Sequence, residues 1–360
     1  MDFLFKLLQR MRDIDASDLL LSNGMPPALR VNGQLAAVGK DAVTPAHVDK
    51  IAKLLFDDAQ QKSFAASLEC NVGISFPGLG RFRVNGFRQR GSTALAIRAV
   101  PTAVPDFAAL GLPDSLKEIA MQKRGLVLFV GACGSGKSTS LAALIEYRSR
   151  HENGHIITIE DPIEFLLPHQ RSMVNQREIG TDTHSYSEAL INALRQSPDV
   201  LMIGEIRDRA TLEQAIEFAD TGHLCVSTLH ANNANQTFDR IINFFKEEER
   251  AQILISLGQT LRAVVSQRLL PTPEGRRRVA YEILTNSPRA SELIRKGEFE
   301  KLKEVMEKGH AHGMNTFDQC LYSLHERALI SAATALEFAD STSNLRLRMK
   351  FAAHENIGTG

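Results

Sequence analysis

The chain has no tryptophan, four tyrosines and four cysteines among its 360 residues. Cys70, Cys133, Cys225 and Cys320 lie far apart and form no C-x-x-C pair. That excludes a zinc knuckle and a disulfide framework and fits a reducing compartment. So few large aromatics leave no stacking platform for single-stranded nucleic acid. Net charge is missing as well, with 42 basic residues balancing 42 acidic ones, so no global field draws the chain to a phosphate backbone. Uninterrupted apolar runs of about 18 residues, the length of a membrane span, are absent. The start, Met1 to Arg12, has apolar residues at helical spacing with Lys6, Arg10 and Arg12 between them. It is too short and too charged for a signal peptide. These absences predict a soluble cytoplasmic protein. An apolar content of 43% supports more than one well-packed core at this length.

What is present is organised around Gly131-Ala132-Cys133-Gly134-Ser135-Gly136-Lys137-Ser138-Thr139, a complete G-x-x-x-x-G-K-[ST] loop. The apolar run Leu126–Val130 precedes it and the helical stretch Ser140–Tyr147 follows. That strand–loop–helix context separates a phosphate-binding loop from a chance match. Glycines let successive N–H groups turn inward around a polyphosphate, and the start of the following helix adds positive field. Lys137 is placed to reach the β- and γ-phosphates of ATP, and Ser138 to ligate Mg²⁺.

Hydrolysis also needs an acid on the metal side and a group that orients water. Val200-Leu201-Met202-Ile203-Gly204-Glu205 reads as a buried strand ending in an acid, with Glu205 holding Mg²⁺ directly or through water. Ile156–Ile159 is a second strand, followed by Glu160, Asp161 and Glu164 around Pro162. Acids gathered at the carboxyl edge of a parallel sheet need a metal or a water to organise. Glu164 is the candidate general base, with Glu160 and Asp161 supporting the loop. His223 and His230 bracket the apolar strand Leu224–Thr228, and His230 is the candidate that senses the γ-phosphate or relays its state to the next subunit. Arg81, Arg83, Arg88, Arg90 and Arg98 cluster in the first hundred residues. Arg81 and Arg83 alternate with Phe82 and Val84, so they share a strand face. They suit either a solvated surface or arginine fingers for a neighbouring subunit.

The organisation is α/β throughout. Residues 1–100 form a small domain. Its expected parts are a first helix, strands at Asp18–Leu21 and Ala28–Val31, and a hairpin turn at Asn32-Gly33. A helix opened by Thr44-Pro45 follows, then three strands within Leu68–Phe76, Arg81–Arg90 and Ser92–Ala99. Residues 101–113, with three prolines, make a linker. Residues 114–287 alternate strands and helices, the pattern of a largely parallel sheet. Residues 288–351 are helical, with Glu292–Glu307 and Phe317–Arg327 clearest, and residues 352–360 form a disordered tail.

The boxes Ile159-Glu160-Asp161-Pro162-Ile163-Glu164, Gly204-Glu205-Ile206-Arg207, and Thr221-Gly222-His223 with Thr228-Leu229-His230-Ala231 follow the phosphate loop in order. Together they resemble the type II/type IV secretion ATPase superfamily. Within it the chain is similar to the type IV pilus retraction ATPases, the PilT/PilU twitching-motility proteins. Likeness extends from Ser17-Asp18-Leu19 through Gly80-Arg81-Phe82-Arg83 to Met314-Asn315-Thr316-Phe317-Asp318-Gln319. It implies a PAS-like N-terminal domain, a RecA-like ATPase core and a homo-hexameric ring. It also implies Glu164 as base, with Arg81, Arg83 and Arg98 facing the neighbouring subunit's nucleotide.

Three comparisons with the family sharpen the expectation. The four-cysteine zinc motif and extra N-terminal domain of assembly ATPases are not read here, which favours retraction. Cys133 stands where the family has threonine or proline and contributes backbone only. Ala290-Ser291-Glu292-Leu293-Ile294-Arg295 departs from the Ala-Ile-Arg-Asn-Leu-Ile-Arg stretch of the main motor, which leans the reading toward the accessory PilU-like paralogue. The implied partners are a paralogous retraction ring and a platform protein of the inner membrane, with the protein peripheral at the pilus base. Arg289, Arg295, Lys296, Lys301 and Lys303 are read as a basic docking face. The competing functions are a RecA-like nucleic-acid translocase or DNA-uptake motor, and a pilus assembly or secretion ATPase.

Overall fold

A computed structural model describes residues 2–31 and 33–357, without the side chains of Ala311 and of residues 352–357. The chain divides into two compact units. One comprises residues 1–103 together with 161–166 and 178–184; the other comprises the remaining residues.

The first unit is built on a six-stranded sheet. Its strands are β1 (Asp18–Leu21), β2 (Ala28–Val31), β3 (Gln34–Ala37), β4 (Glu69–Phe76), β5 (Gly80–Gln89) and β6 (Ser92–Ala99), in the order β3-β2-β1-β6-β5-β4. Phe82 and Val84 of β5 and Leu95 and Ile97 of β6 are buried. They pack with Leu4, Leu8 and Met11 of the helix Asp2–Asp13 and with Val48 and Ile51 of the helix Pro45–Leu55. Two-residue alternation therefore sends Arg81, Arg83 and Arg98 to the face away from that core. Thr44 caps the second helix by accepting the His47 N–H, with Pro45 at its first turn. The helix Asp58–Ser67 is an addition to the sequence expectation. It is started by a reciprocal Asp57–Gln60 capping box, a signal present in the sequence. Asn32 of the expected hairpin turn lies outside the described residues. The two strands it was expected to join, β2 and β3, pair antiparallel from Ala28–Ala37 to Val31–Gln34.

The second unit carries a seven-stranded sheet. Its strands are β7 (Gly125–Val130), β8 (Gly154–Glu160), β9 (Ser172–Glu178), β10 (Val200–Ile203), β11 (Leu224–Leu229), β12 (Leu261–Pro271) and β13 (Arg277–Thr285), in the order β13-β12-β7-β11-β10-β8-β9. Every residue of β7, β10 and β11 is buried, as strands sandwiched between helices require. β12, β7, β11, β10 and β8 run parallel to their neighbours in that series. The antiparallel β12–β13 hairpin was not foreseen, because Arg262, Ser266, Gln267 and Arg268 break its apolar pattern. The short helix Phe107–Leu110 lies inside the expected linker, where Phe107 is buried against the Tyr147 ring at 5.4 Å.

Beyond β13 the chain is helical, but the stretch expected as one helix from Glu292 to Glu307 is broken. Helix Pro288–Lys296 begins at a Ser287 cap and ends at Gly297, whose φ of 71° is left-handed. A 3₁₀ turn at Phe299–Lys301 and helix Leu302–Lys308 follow. Glycine is the residue that takes such a cap without strain. Helices Phe317–Glu326, Ala332–Glu337 and Thr342–Ile357 complete the layer. Of the expected tail, residues 352–357 belong to the last helix and residues 358–360 lie outside the described residues.

Candidate functional site

The phosphate loop joins the buried strand β7 to the helix Lys137–His151. Gly131 is held at φ 154°. A Cβ there would lie 2.4 Å from Ser135 Oγ and 2.6 Å from the Gln267 carbonyl, so the loop closes only around glycine. Gly134 and Gly136 are left-handed, at φ 75° and 92°. Ala132, Cys133 and Gly134 are exposed while Ser135 and Lys137 are buried, so the loop offers its backbone outward over a buried ammonium. Lys137 Nζ donates to the carbonyls of Gly131 and Ala132 at 2.8 and 2.9 Å. Burial lowers its pKa, while Cys133 and Glu205 act in the opposite direction. Ser135 Oγ is buried and unpartnered. A cradle that excludes a Cβ, an orphan hydroxyl, a buried lysine and an exposed Ser138 at the helix start fit a magnesium–nucleotide polyphosphate.

Parallel pairing of β10 with β11 sets the acid and the histidine side by side. Glu205 follows β10 and His230 follows β11. His230 Nε2 lies 3.1 Å from Glu205 Oε1, and Arg207 Nε donates to Glu205 Oε2 at 2.8 Å. Thr228 Oγ1 donates to the Gly204 carbonyl at 2.7 Å and ties the two strand ends together. His223 sits at the other end of β11, against the Phe218 ring at 4.7 Å, and belongs to the packing. Gly131, Ala132, His230, Asn232, Gln236 and Arg240 line a cavity of about 530 Å³ beside the loop.

One residue of this edge went unread in the sequence. Glu282 of β13 is 2% exposed. Its Oε1 accepts the Ala234 N–H at 2.8 Å and the Ser266 hydroxyl at 3.1 Å. Burial pushes its carboxyl up to about 7 against the pull of the Ala234 bond; Asp340 adds to the rise, while Ser266 and Arg268 oppose it. It thereby anchors the start of helix Ala234–Ile242, directly after the loop His230–Asn233. An isolated glutamate in a mixed strand carries no motif that would reveal this.

The arginines and Glu164 belong to the first unit, on the polar face of its sheet. Register places Asp18 of β1 opposite Arg98 of β6, Arg98 opposite Arg83 of β5, and Arg83 opposite Gly73 of β4. Arg98 Nε donates to Asp18 Oδ1 at 2.7 Å. Burial acts to raise the Asp18 carboxyl, but the Ser17 hydroxyl and Arg98 outweigh it and hold it below its ordinary value. Arg83 Nη1 donates to Glu164 Oε2 at 3.0 Å. Arg81 is the most enclosed of the three and pairs with the buried Glu178 at 3.1 Å. Glu178 in turn accepts the Ile163 N–H at 3.1 Å and so holds the Asp161–Leu166 loop. Gly73 makes that possible, since a Cβ there would meet Glu178 Oε1 at 2.3 Å. Asp18, Arg83, Arg98, Asp161 and Glu178 line a polar cavity of about 480 Å³. In the second unit Glu160 is buried, accepting Thr158 Oγ1 at 2.7 Å and Gln176 Nε2 at 3.0 Å, which suits a support.

The parallel sheet, the phosphate loop at its edge and the Glu205–His230 pair define a P-loop ATPase. The family profile described as Type II/IV secretion system protein matches residues 71–336. The chain is 47% identical over 98% of its length, and 92% of the relative's, to a Pseudomonas aeruginosa protein named Type IV pilus ATPase PilU. To the PilT retraction ATPase of the same organism it is 39% identical, over 91% of this chain and 96% of that one. A crystal structure of the pilus retraction motor PilT with bound ADP superposes with a TM-score of 0.87 at 38% identity, covering 93% of this chain and 96% of that one. The chain belongs to the type IV pilus retraction ATPase family. It is an ATPase with an N-terminal α/β domain and a RecA-like core, as the motif order implied.

Proposed function

We propose that the protein is a motor that spends ATP hydrolysis on the retraction of type IV pili and works as the accessory, PilU-like member beside a paralogous ring. The likeness to PilU over nearly the whole chain is the observation that carries the reading. ATP–Mg²⁺ is the substrate. The N–H groups of Gly131 to Thr139 and Lys137 hold the phosphates; Ser138 and Glu205, directly or through water, would hold Mg²⁺, which would supply positive charge against the phosphates. Glu164 takes the proton of the attacking water as the γ-phosphoryl is transferred and ADP leaves. His230, bonded to Glu205, couples the γ-phosphate to strand β11.

Arg83 and Arg98 act toward the nucleotide of the next subunit in a homo-hexamer, exchanging Glu164 and Asp18 for phosphate oxygens. Arg81 serves through Glu178 by fixing the Asp161–Leu166 loop. Force passes to a platform protein of the inner membrane, with the ring peripheral on the cytoplasmic side and no direct nucleic-acid contact. No helix among the described residues is long and apolar enough to cross a membrane, which fits such an arrangement. The test is pilus pulling force in a deletion strain, with surface pili counted alongside. Piliated cells with weakened retraction under load and residual retraction at low load are the expected result. Cells without pili would overturn retraction in favour of assembly.

A further inference from the structure

Four of the five basic residues on the helical face expected to dock by charge are paired with acids in the folded chain, while Arg295 is exposed and donates to the Ser291 carbonyl at 3.4 Å. Arg289 and Lys296 both bond Glu292 and hold its carboxyl down at about 2. Lys301 pairs with Glu298, and Lys303 lies 3.7 Å from both Asp318 and Asp340. Charge paired with nearby acids, along the helix or across the layer, leaves little field for a partner.

The last helix, Thr342–Ile357, is arranged differently. Leu345, 1% exposed, and Met349 face the core formed with Phe317 and Leu321. At 100° per residue, Leu347 and Phe351 then project from the opposite side. They are 54% and 62% exposed, one turn apart. Arg346 and Lys350 flank them on one side and Arg348 on the other, all three exposed. No acidic residue occurs between Asp340 and Glu355, and Asp340 is already bonded to Arg268 at 2.7 Å. Arg348 rests over the Tyr322 ring at 4.3 Å, which keeps its charge at the rim of the strip.

We infer that this outer strip is a contact for an anionic lipid surface, with Leu347 and Phe351 entering the headgroup boundary and Arg346, Arg348 and Lys350 meeting lipid phosphates. Two large apolar side chains standing out from a convex helix fit a deformable bilayer surface. An acidic peptide would need a groove instead. A strip of two apolar and three basic residues lies on a membrane rather than spanning it. One copy binds marginally; copies presented together on one face of an assembly add by avidity. The inference concerns the purified chain and lipid alone, so it stands or falls apart from the retraction role.

The full-length chain is sedimented with phosphatidylglycerol-containing vesicles and with pure phosphatidylcholine vesicles. Binding is expected only to the anionic vesicles and is expected to weaken as salt is raised. A basic residue near such a surface strengthens binding about fivefold, so the double change Arg346→Gln, Lys350→Gln lowers the partition coefficient by at least about 25-fold, the value for a single copy. Because the chain has no tryptophan, Phe351→Trp supplies a single reporter whose emission shifts to the blue on anionic vesicles. Unchanged ATPase activity and elution volume confirm that the variants fold and assemble as the parent does. Equal binding to both vesicle types, or an unshifted reporter, overturns the inference. A loss of assembly in Leu347→Ser, Phe351→Ser would assign the strip to a second copy of the chain and overturn it too. Binding that survives both paired substitutions would place the lipid contact elsewhere.

Discussion

Replacing Glu282 with glutamine should change how stability depends on pH, and should leave the fold intact. The glutamate is enclosed by β12, β13 and the start of helix Ala234–Ile242, with Asp340 and Arg268 the charged groups that act on it. Its carboxyl is raised from 4.5 to about 7. Between those values the folded chain keeps a proton that the unfolded chain has released. Its contribution is therefore fully present below about pH 4.5 and is lost as pH rises through 7. A rise of this size amounts to about 3 kcal/mol between the two ends of the range. Glutamine keeps an oxygen for the Ala234 N–H and cannot ionise, so the variant lacks this slope. Denaturant unfolding followed by circular dichroism at matched pH for both proteins gives the difference directly, because every other titrating group cancels. The variant should gain about 3 kcal/mol on the parent between about pH 4.5 and about pH 8. A difference that stays flat across the range would refute the argument that the buried carboxyl is held protonated.

Lys137→Ala should abolish nucleotide binding, because Lys137 supplies the buried charge under the loop, whereas Glu164→Gln should bind normally and lose turnover. Affinity for a fluorescent ATP analogue and phosphate release, measured on both, check this; normal turnover in Glu164→Gln removes it as the base. Mixing Lys137→Ala subunits with Arg83→Ala subunits should restore part of the activity, since each contributes what the other lacks. Mixed preparations no more active than either parent would show that Arg83 serves its own chain, through the Glu164 bond already present.

The phosphate loop was legible because its chemistry is local. Glycines, lysine and hydroxyl must follow one another within nine residues, between an apolar strand and a helix, and that whole context is contiguous from Leu126 to Tyr147. The four parallel strands β7, β8, β10 and β11 were legible for a related reason: burial on both faces leaves unbroken apolar runs. The expected helix through Gly297 failed on one residue, where apolar spacing continued across a left-handed cap that ends the helix. The β12–β13 hairpin was hidden because its polar residues are satisfied by partners distant in the chain. Gln267 Nε2 bonds Ser140 Oγ at 2.8 Å and Arg268 bonds Asp340. The sequence alone determined where the glycine-rich loop with its lysine and hydroxyl lies and which family the chain belongs to. Tertiary structure decided what each charge does. Strand register set Asp18, Arg98, Arg83 and Gly73 in one row, and parallel pairing set His230 against Glu205. It also enclosed Arg81 and Glu282 while leaving Leu347 and Phe351 outside. Ion pairing and burial depend on distances across the fold, and spacing along the chain does not encode them.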